Sequence, residues 1–229
     1  MIYITGDTHG RFDRVFQFCK QHKTTWDDVL IILGDAGINY WDDIRDSVLK
    51  QRLSELPITL FCIHGNHERR PQTLAHYECD VFHDGVVYVE PEYPNILFAM
   101  DGQVYKFAGK HCMAIGGAYS VDKYYRLERG MNWFDDEQPD ARVKERVERK
   151  IFEKRVDMFL THTCPLKYIP TEVFLPQIDQ STVDNSTERW LDGIEDAVEY
   201  EKWYCGHYHT EKTIDRMRFM FNDFVMLGE

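Results

Sequence analysis

Short apolar segments that end in aspartate, histidine or asparagine recur along this chain, and they constrain its fold more than any other feature. The first three are residues 1–5, 29–33 and 58–63, and the intervening segments 11–22 and 42–55 carry apolar residues at helical spacing. This alternation of strand and helix is typical of a parallel sheet, where the carboxyl ends of the strands meet at one edge. The polar residues that follow the strands are therefore expected to converge at that edge.

The second half of the chain has a mixed pattern. Short apolar runs over 86–115 are broken by proline and glycine, which indicates antiparallel or mixed strands. A charged helix is predicted over 140–155 and another helix over 187–200. Each precedes a strand, at 156–160 and 202–205, and both strands again end in histidine-containing sequence.

We expect a single domain over residues 1–229, since no repeat, linker or low-complexity tract divides the chain. Segment 117–138 is rich in tyrosine, tryptophan and aspartate and has no clean period. It is interpreted either as an insert that covers the site as a lid, or as a segment whose aromatic residues pack onto the core.

Charge and cysteine content exclude several classes of protein. The chain has 27 basic and 39 acidic residues, a formal charge of −12, which opposes binding to a nucleic-acid scaffold or an anionic membrane. No basic and apolar leader is visible, and no apolar run approaches the ~18 residues of a membrane span. Six cysteines without a CxxC pair favour reduced thiols and a cytoplasmic protein.

The residues at the strand ends offer imidazole and oxygen ligands. The candidate ligands are Asp7, His9, Asp35, Asn66, His162, His207 and His209. This mixture suits manganese, iron, nickel or zinc better than magnesium or calcium. Seven donors are too many for one tetrahedral ion and fit two divalent ions ~3.5–4 Å apart that share a bridging carboxylate. Residues i and i+2 of an extended stretch point the same way, so Asp7 with His9, and His207 with His209, can each aim two donors at one side.

The order of these motifs along the chain is DxH, GD, GNHE, H and GHxH. It resembles the calcineurin-like metallophosphoesterase superfamily over nearly the whole chain. The resemblance implies an α/β protein with a four-layer αββα sandwich, in which two mixed β-sheets are flanked by helices. It also implies a phosphoesterase that hydrolyses a phosphomonoester by attack of metal-bound hydroxide on phosphorus.

The resemblance further assigns a role to each motif residue. One ion would be held by Asp7, His9, Asp35 and His209. The second would be held by Asp35, Asn66, His162 and His207, with Asp35 bridging, and manganese is the favoured metal. His67 would lie near the leaving-group oxygen, as a general acid or a phosphate ligand.

The second motif departs from that of the serine/threonine protein phosphatases, which the first and third motifs resemble. Those enzymes continue GDxxDRG, whereas here Ile38 replaces the aspartate that orients the catalytic histidine and Asn39 replaces the phosphate-binding arginine. Either other cations reach the phosphate, with Arg126 preferred and Arg69 as a second candidate, or binding relies on the metals and His67. Both arginines also fit the description of solvated surface residues.

Three functions therefore stay open for this chain. The first is hydrolysis of a phosphomonoester in a phosphorylated small molecule, nucleotide or phosphopeptide. The second is phosphodiester or dinucleoside-polyphosphate hydrolysis. The third is a non-catalytic interaction module on the same fold, which the retained His67 and full ligand set disfavour.

Overall fold

Apolar side chains alternate between the two faces of most strands, and the computed structural model, which describes residues 1–228, packs these strands into two facing sheets. The first sheet contains β1 (Ile2–Thr5), β2 (Val29–Ile32), β3 (Thr59–Cys62), β4 (Glu78–Phe82), β5 (Gly85–Val89), β6 (Ile96–Ala99) and β13 (Val225–Met226). Its order is β13-β1-β2-β3-β6-β5-β4. The pairs β1–β2, β2–β3 and β3–β6 are parallel, as predicted for the first half of the chain.

The second sheet has a parallel centre and antiparallel edges. It contains β7 (Val104–Phe107), β8 (Lys110–Ile115), β9 (Met158–Thr161), β10 (Lys202–Cys205), β11 (Lys212–Ile214) and β12 (Met217–Phe219). Its order is β11-β12-β10-β9-β8-β7, and β8–β9–β10–β12 run parallel.

The described residues contain five α-helices. They are α1 (Asp13–His22), α2 (Ile44–Leu53), α3 (Lys123–Glu128), α4 (Ala141–Glu153) and α5 (Ser186–Ala197). Helices α1, α2, α4 and α5 contribute side chains to the apolar clusters on the outer faces of the two sheets. Val15 and Phe18 of α1 pack on the first sheet, whereas Val143 and Val147 of α4 pack on the second. Among the described residues no helix combines the length and apolar character needed to cross a membrane.

Strand alternation explains the layering. In β2, Val29 and Ile31 point between the sheets, where they meet side chains of the second sheet such as Leu160, while Leu30 and Ile32 point toward α1. The result is helix, sheet, sheet, helix, so the expected four-layer αββα sandwich of two mixed sheets is confirmed.

The apolar stripe predicted for the second helix is only partly present. Ile44 and Val48 are 72% and 62% exposed, whereas Leu53 and the partly buried Leu49 pack α2 on the core. Asp46 and Lys50 are buried instead, because Asp46 accepts hydrogen bonds from the backbone before the helix and Lys50 lies 2.6 Å from Glu90. Tertiary polar contacts therefore decide which face of α2 is inward.

Candidate metal centre

The strand-end residues of both sheets converge on one cavity. The ends of β1, β2 and β3 in the first sheet meet the ends of β9 and β10 in the second. Lining residues from these ends are His9, Asp35, Asn66, His67, His207 and His209. The predicted convergence thus requires both sheets, because β9 and β10 do not belong to the sheet of β1–β3.

Asp7 and two histidines form a first group of donors. Asp7 Oδ2 lies 3.2 Å from His209 Nε2 and 3.7 Å from His9 Nε2. The two Nε2 atoms are 2.9 Å apart. Asp7 itself is buried, so a carboxylate and two imidazoles share a small volume at the end of β1.

Asp35 stands between this group and a second one. Its Oδ2 lies 3.8 Å from His9 Nδ1, and its Oδ1 lies 3.6 Å from His162 Nε2. The backbone N–H of His67 donates to Oδ1 at 2.8 Å and fixes the carboxylate. Asp35 thus belongs to two of the close donor groups, one with His9 and His67 and the other with Asp7 and His162.

His162 directs its second ring nitrogen at an amide oxygen. Its Nδ1 lies 2.8 Å from the carbonyl of Leu33, to which Nδ1–H donates. Its Nε2 lies 2.8 Å from Oδ1 of Asn66, whose amide nitrogen donates to Ser120 Oγ. An imidazole nitrogen and an amide oxygen that meet in a buried site are a donor pair suited to a divalent ion, so these residues fit a metal ion.

His207 lies at the same wall of the cavity with a looser placement. Its ring centroid is 4.9 Å from that of His162, and its backbone N–H donates to Asp7 Oδ1 at 3.0 Å. Among the described residues three groups of close histidine and carboxylate donors occur, and His207 is in none of them. His67, in contrast, lies within the group formed by His9 and Asp35.

Four of the candidate ligands have a left-handed backbone conformation. His9, Asp35, His207 and His209 have φ values of 48°, 47°, 67° and 49°. A non-glycine residue in this region costs on the order of 1–3 kcal/mol and persists only where the surroundings enforce it. Four such residues among the candidate ligands indicate that ligand direction is set at the expense of local stability.

The motif glycines are required by close approach. A Cβ on Gly65 would lie 2.0 Å from Asp35 Oδ1, and a Cβ on Gly34, at φ +92°, would lie 2.0 Å from His162 Nδ1. No side chain fits at those distances, so GD and GNHE need glycine to let β2, β3 and β9 bring their ligands together.

Burial and neighbouring histidines shift several pKa values in the site. Burial acts to raise the pKa of Asp35, but His162, His67 and His9 outweigh it and hold the pKa well below its usual range. Burial lowers the pKa of His207 to about 3. Asp35 is therefore a carboxylate and His207 a neutral imidazole, which are the forms that bind metal ions.

Glu68 of the GNHE motif is a functional candidate that sequence reasoning missed. Its Oε1 accepts from Gly65 N at 3.0 Å and its Oε2 from Gly37 N at 2.9 Å, so it joins the loops after β2 and β3. Complete burial, helped by Asp35, raises its pKa to about 7. The available signal was the position of this glutamate directly after His67 in the GNHE motif.

Arg126 reaches His67 from a different part of the chain. Its Nη2 lies 2.5 Å from His67 Nδ1, and its Nε donates to Asp122 Oδ2 at 2.8 Å. Asp122 Oδ1 in turn lies 4.0 Å from His67 Nε2. Arg126 is only 7% exposed although it belongs to the short surface helix α3, so the sequence preference for Arg126 corresponds to a contact with the site.

Arg69 lies elsewhere. Its Nε is 3.9 Å from Asp42 Oδ2 and its guanidinium stands 5.4 Å from the ring centroid of Phe134. It lines a separate depression rather than the cavity of the candidate ligands. The structure does not bring Arg69 to the site.

The cavity has a volume of about 390 Å³, and two segments complete its wall. From segment 117–138 only Tyr119, Val121 and Asp122 line it, while Tyr124 is 61% exposed and Phe134 is buried in the protein. The other wall comes from residues 169–183, which sequence reasoning missed because their apolar residues follow neither helical nor strand spacing.

Comparison with known proteins relates the chain to one family and one fold. The model of the family described as calcineurin-like phosphoesterase matches residues 1–211. An uncharacterized protein of Haemophilus influenzae is 33% identical over 70 residues, which is 31% of this chain and 26% of that protein. The chain thus spans about a quarter of the length of that relative.

Two solved structures share the fold at low identity. The protein TT1561 of Thermus thermophilus matches with a TM-score of 0.52 and 13% identity, over 96% of this chain and 87% of that chain. A second structure matches with a TM-score of 0.54 and 12% identity, over 96% and 88% of the two chains. Both have the topology of the present chain.

Proposed function

Since the chain belongs to the calcineurin-like phosphoesterase family, whose members depend on metal ions, we propose that it hydrolyses phosphomonoesters with two divalent ions bound at the cavity. The observation that carries this proposal is the position of Asp35, whose two oxygens face His9 on one side and His162 on the other at 3.8 and 3.6 Å. A carboxylate between two donor groups is what a two-ion centre requires.

The ligand sets in this proposal are those that the resemblance in motif order implies, and the close grouping of Asp7, His9 and His209 and of Asp35 and His162 supports them in part. Asp7, His9, Asp35 and His209 would hold one ion, and Asp35, Asn66, His162 and His207 would hold the other. When bound, two such ions stabilise negative charge on the phosphoryl oxygens and lower the pKa of a water molecule. The donor mixture suits Mn²⁺, Fe, Zn²⁺ or Ni²⁺, and Mn²⁺ is the first ion to test.

His67 is proposed as the residue that meets the leaving-group oxygen. Arginine has only donors, so the 2.5 Å contact of Arg126 makes His67 Nδ1 an acceptor, and a neutral ring then carries its proton on Nε2. Burial, with Arg126 adding to it, lowers the pKa of His67, which favours that neutral form. The Nε2–H is the group available to donate to the departing oxygen.

Arg126 is proposed as a positioning residue rather than a ligand of the phosphate. All three guanidinium nitrogens have protein partners, namely Asp122, Tyr40, the carbonyl of Asn132 and His67. Its side chain also does not line the cavity. Helix α3 thus supplies an arginine beside His67, and Asp122, the residue before the helix, supplies an aspartate. The second motif itself supplies neither, because it has Ile38 and Asn39 at the positions of the aspartate and arginine of GDxxDRG.

The test is a metal-reconstitution assay with matched variants. Chelator-treated protein is assayed with and without Mn²⁺ on p-nitrophenyl phosphate and bis-p-nitrophenyl phosphate, together with His67→Ala and the surface control His22→Ala. We expect Mn²⁺-dependent release from the monoester that exceeds release from the diester, loss of activity in His67→Ala, and retention in His22→Ala.

Other outcomes would redirect the assignment. Faster cleavage of the diester would identify a phosphodiesterase. Binding of two ions without cleavage of either ester would contradict the proposal and favour an interaction module.

A further inference from the structure

The cavity extends from the candidate ligands onto an apolar wall supplied by one connection. Residues 162–185 join β9 to α5, and His162 stands at the beginning of this connection. The later part turns back over the cavity and lines it with Ile169, Val173, Phe174, Leu175, Ile178 and Val183. A donor to the metal centre and an apolar surface are therefore carried by the same stretch of chain.

Most of these apolar side chains are not part of the protein core. Ile169 packs against the core cluster of the second sheet, but Leu175 is 50% exposed, and Val173 and Ile178 are half-buried. Apolar residues that face a concave space next to a reactive site are typical of a ligand-binding wall. Tyr119 and Val121 add further apolar area to the lining of the cavity.

The charge of the cavity limits the ligand further. Among the described residues that line it there is no lysine or arginine, and the titratable side chains other than histidine and tyrosine are Asp35, Asp122 and Glu188. Polar lining on the apolar side is limited to Gln180, Asn185 and Glu188. A chain of several phosphates or an acidic peptide would find no cation there beyond the proposed metal ions.

We infer that the substrate is the phosphate monoester of an alcohol with an aliphatic chain, which packs against the wall formed by residues 169–183. This inference rests on the proposed function, because the proposed ions hold the phosphate at one end of the cavity. The remainder of the ester must then lie in the same 390 Å³ space, whose far wall is built mainly of branched aliphatic side chains.

The test measures equilibrium binding, so that it does not depend on turnover. Mn²⁺-loaded protein is titrated by calorimetry with methyl-, butyl- and hexylphosphonate and with adenosine monophosphate. We expect affinity to rise about threefold per added methylene, which corresponds to burial of most of each group. Phe174→Ala combined with Ile178→Ala should reduce the affinity for hexylphosphonate at least tenfold and leave that for methylphosphonate unchanged.

Phe152→Ala is the matched control, since Phe152 is 85% exposed on α4 and is not among the residues that line the cavity. It should bind all probes like the unaltered protein. Affinity that does not change with chain length, tighter binding of adenosine monophosphate than of hexylphosphonate, or failure of every phosphonate to bind would overturn the inference.

Failure of the two proposals can be told apart. If p-nitrophenyl phosphate is hydrolysed while affinity is independent of chain length, this inference is wrong and the proposed function stands. If affinity rises with chain length but no ester is cleaved, the apolar wall is supported and the proposed function is wrong.

Discussion

Nη2 of Arg126 lies 2.5 Å from Nδ1 of His67, although the two residues are 59 positions apart and Arg126 belongs to none of the motifs. Because a guanidinium only donates, this contact supports the proposal that Nδ1 of His67 accepts and that Nε2 carries the proton. It links the short helix α3 to the end of β3 and makes the surface segment part of the site.

Arg126→Ala should lower kcat on p-nitrophenyl phosphate by about tenfold or more, with little change in KM, because His67 loses its orientation while the phosphate ligands remain. Arg126→Lys should recover part of kcat, since an ammonium can still donate to Nδ1. Arg129→Ala on the exposed side of the segment is the control. A large rise in KM at constant kcat would instead identify Arg126 as a substrate ligand.

Gly65→Ala should abolish binding of at least one metal ion, because the new Cβ would meet Asp35 Oδ1 at 2.0 Å. The quantity to measure is bound Mn²⁺ per chain after gel filtration. Gly193→Ala is the matched control, since no atom lies within 4 Å of its Cβ position and it stands inside α5. That control should be stabilised by roughly 0.5–1 kcal/mol and bind metal normally. Normal metal content in Gly65→Ala would contradict the close approach.

Removal of metal should lower the melting temperature, because ions that bind only the folded chain stabilise it by mass action. At a free Mn²⁺ concentration of a hundred times Kd the expected gain is about 2.7 kcal/mol, or several degrees for a domain of this size. Differential scanning calorimetry with Mn²⁺ and with EDTA measures it. In Asp35→Asn the difference should shrink by more than half, whereas in Asp157→Asn, outside the site, it should persist.

Glu188 should make stability depend on pH in the opposite sense to an ordinary surface carboxylate. Burial raises its pKa above the usual 4.5, so the folded state holds the proton more tightly than the unfolded state. Its contribution to stability is complete below pH 4.5 and is lost as the pH rises through the folded-state pKa. One of its oxygens, Oε2, also has no hydrogen-bond partner.

Glu188→Gln removes this titration, so its melting temperature relative to the unaltered protein should increase from about pH 5 to about pH 8. Glu92→Gln, at an exposed position, should show no such trend. A difference that is constant or falls with pH would contradict the burial argument.

Local pattern was sufficient to predict much of this protein. Short apolar runs located most strands and helical spacing of apolar residues located most helices, and the polar residues after β1, β2, β3, β9 and β10 identified the candidate ligands. The strands, the helices and the polar residues at the strand ends each depend on a few consecutive residues, so they can be predicted directly from the sequence. The four layers came from resemblance to a family, since alternation alone does not say which strands share a sheet.

Contacts between distant segments had to come from the tertiary structure. The inward burial of Lys50 on α2 depends on its partner Glu90 and is not predicted by the apolar period, and the role of Glu68 depends on Gly37 N in another loop. The left-handed backbone of His9 and Asp35 likewise depends on what surrounds them.

The sequence by itself determined which residues can bind metal ions, because ligand chemistry and strand-end position are local. Only the tertiary structure decided that Arg126 serves His67 while Arg69 lies elsewhere, and that residues 169–183 form the far wall of the cavity. The physical reason is that these relationships join segments many residues apart. The packing of the two sheets sets the distances between these segments, and no short-range periodicity in the sequence predicts those distances.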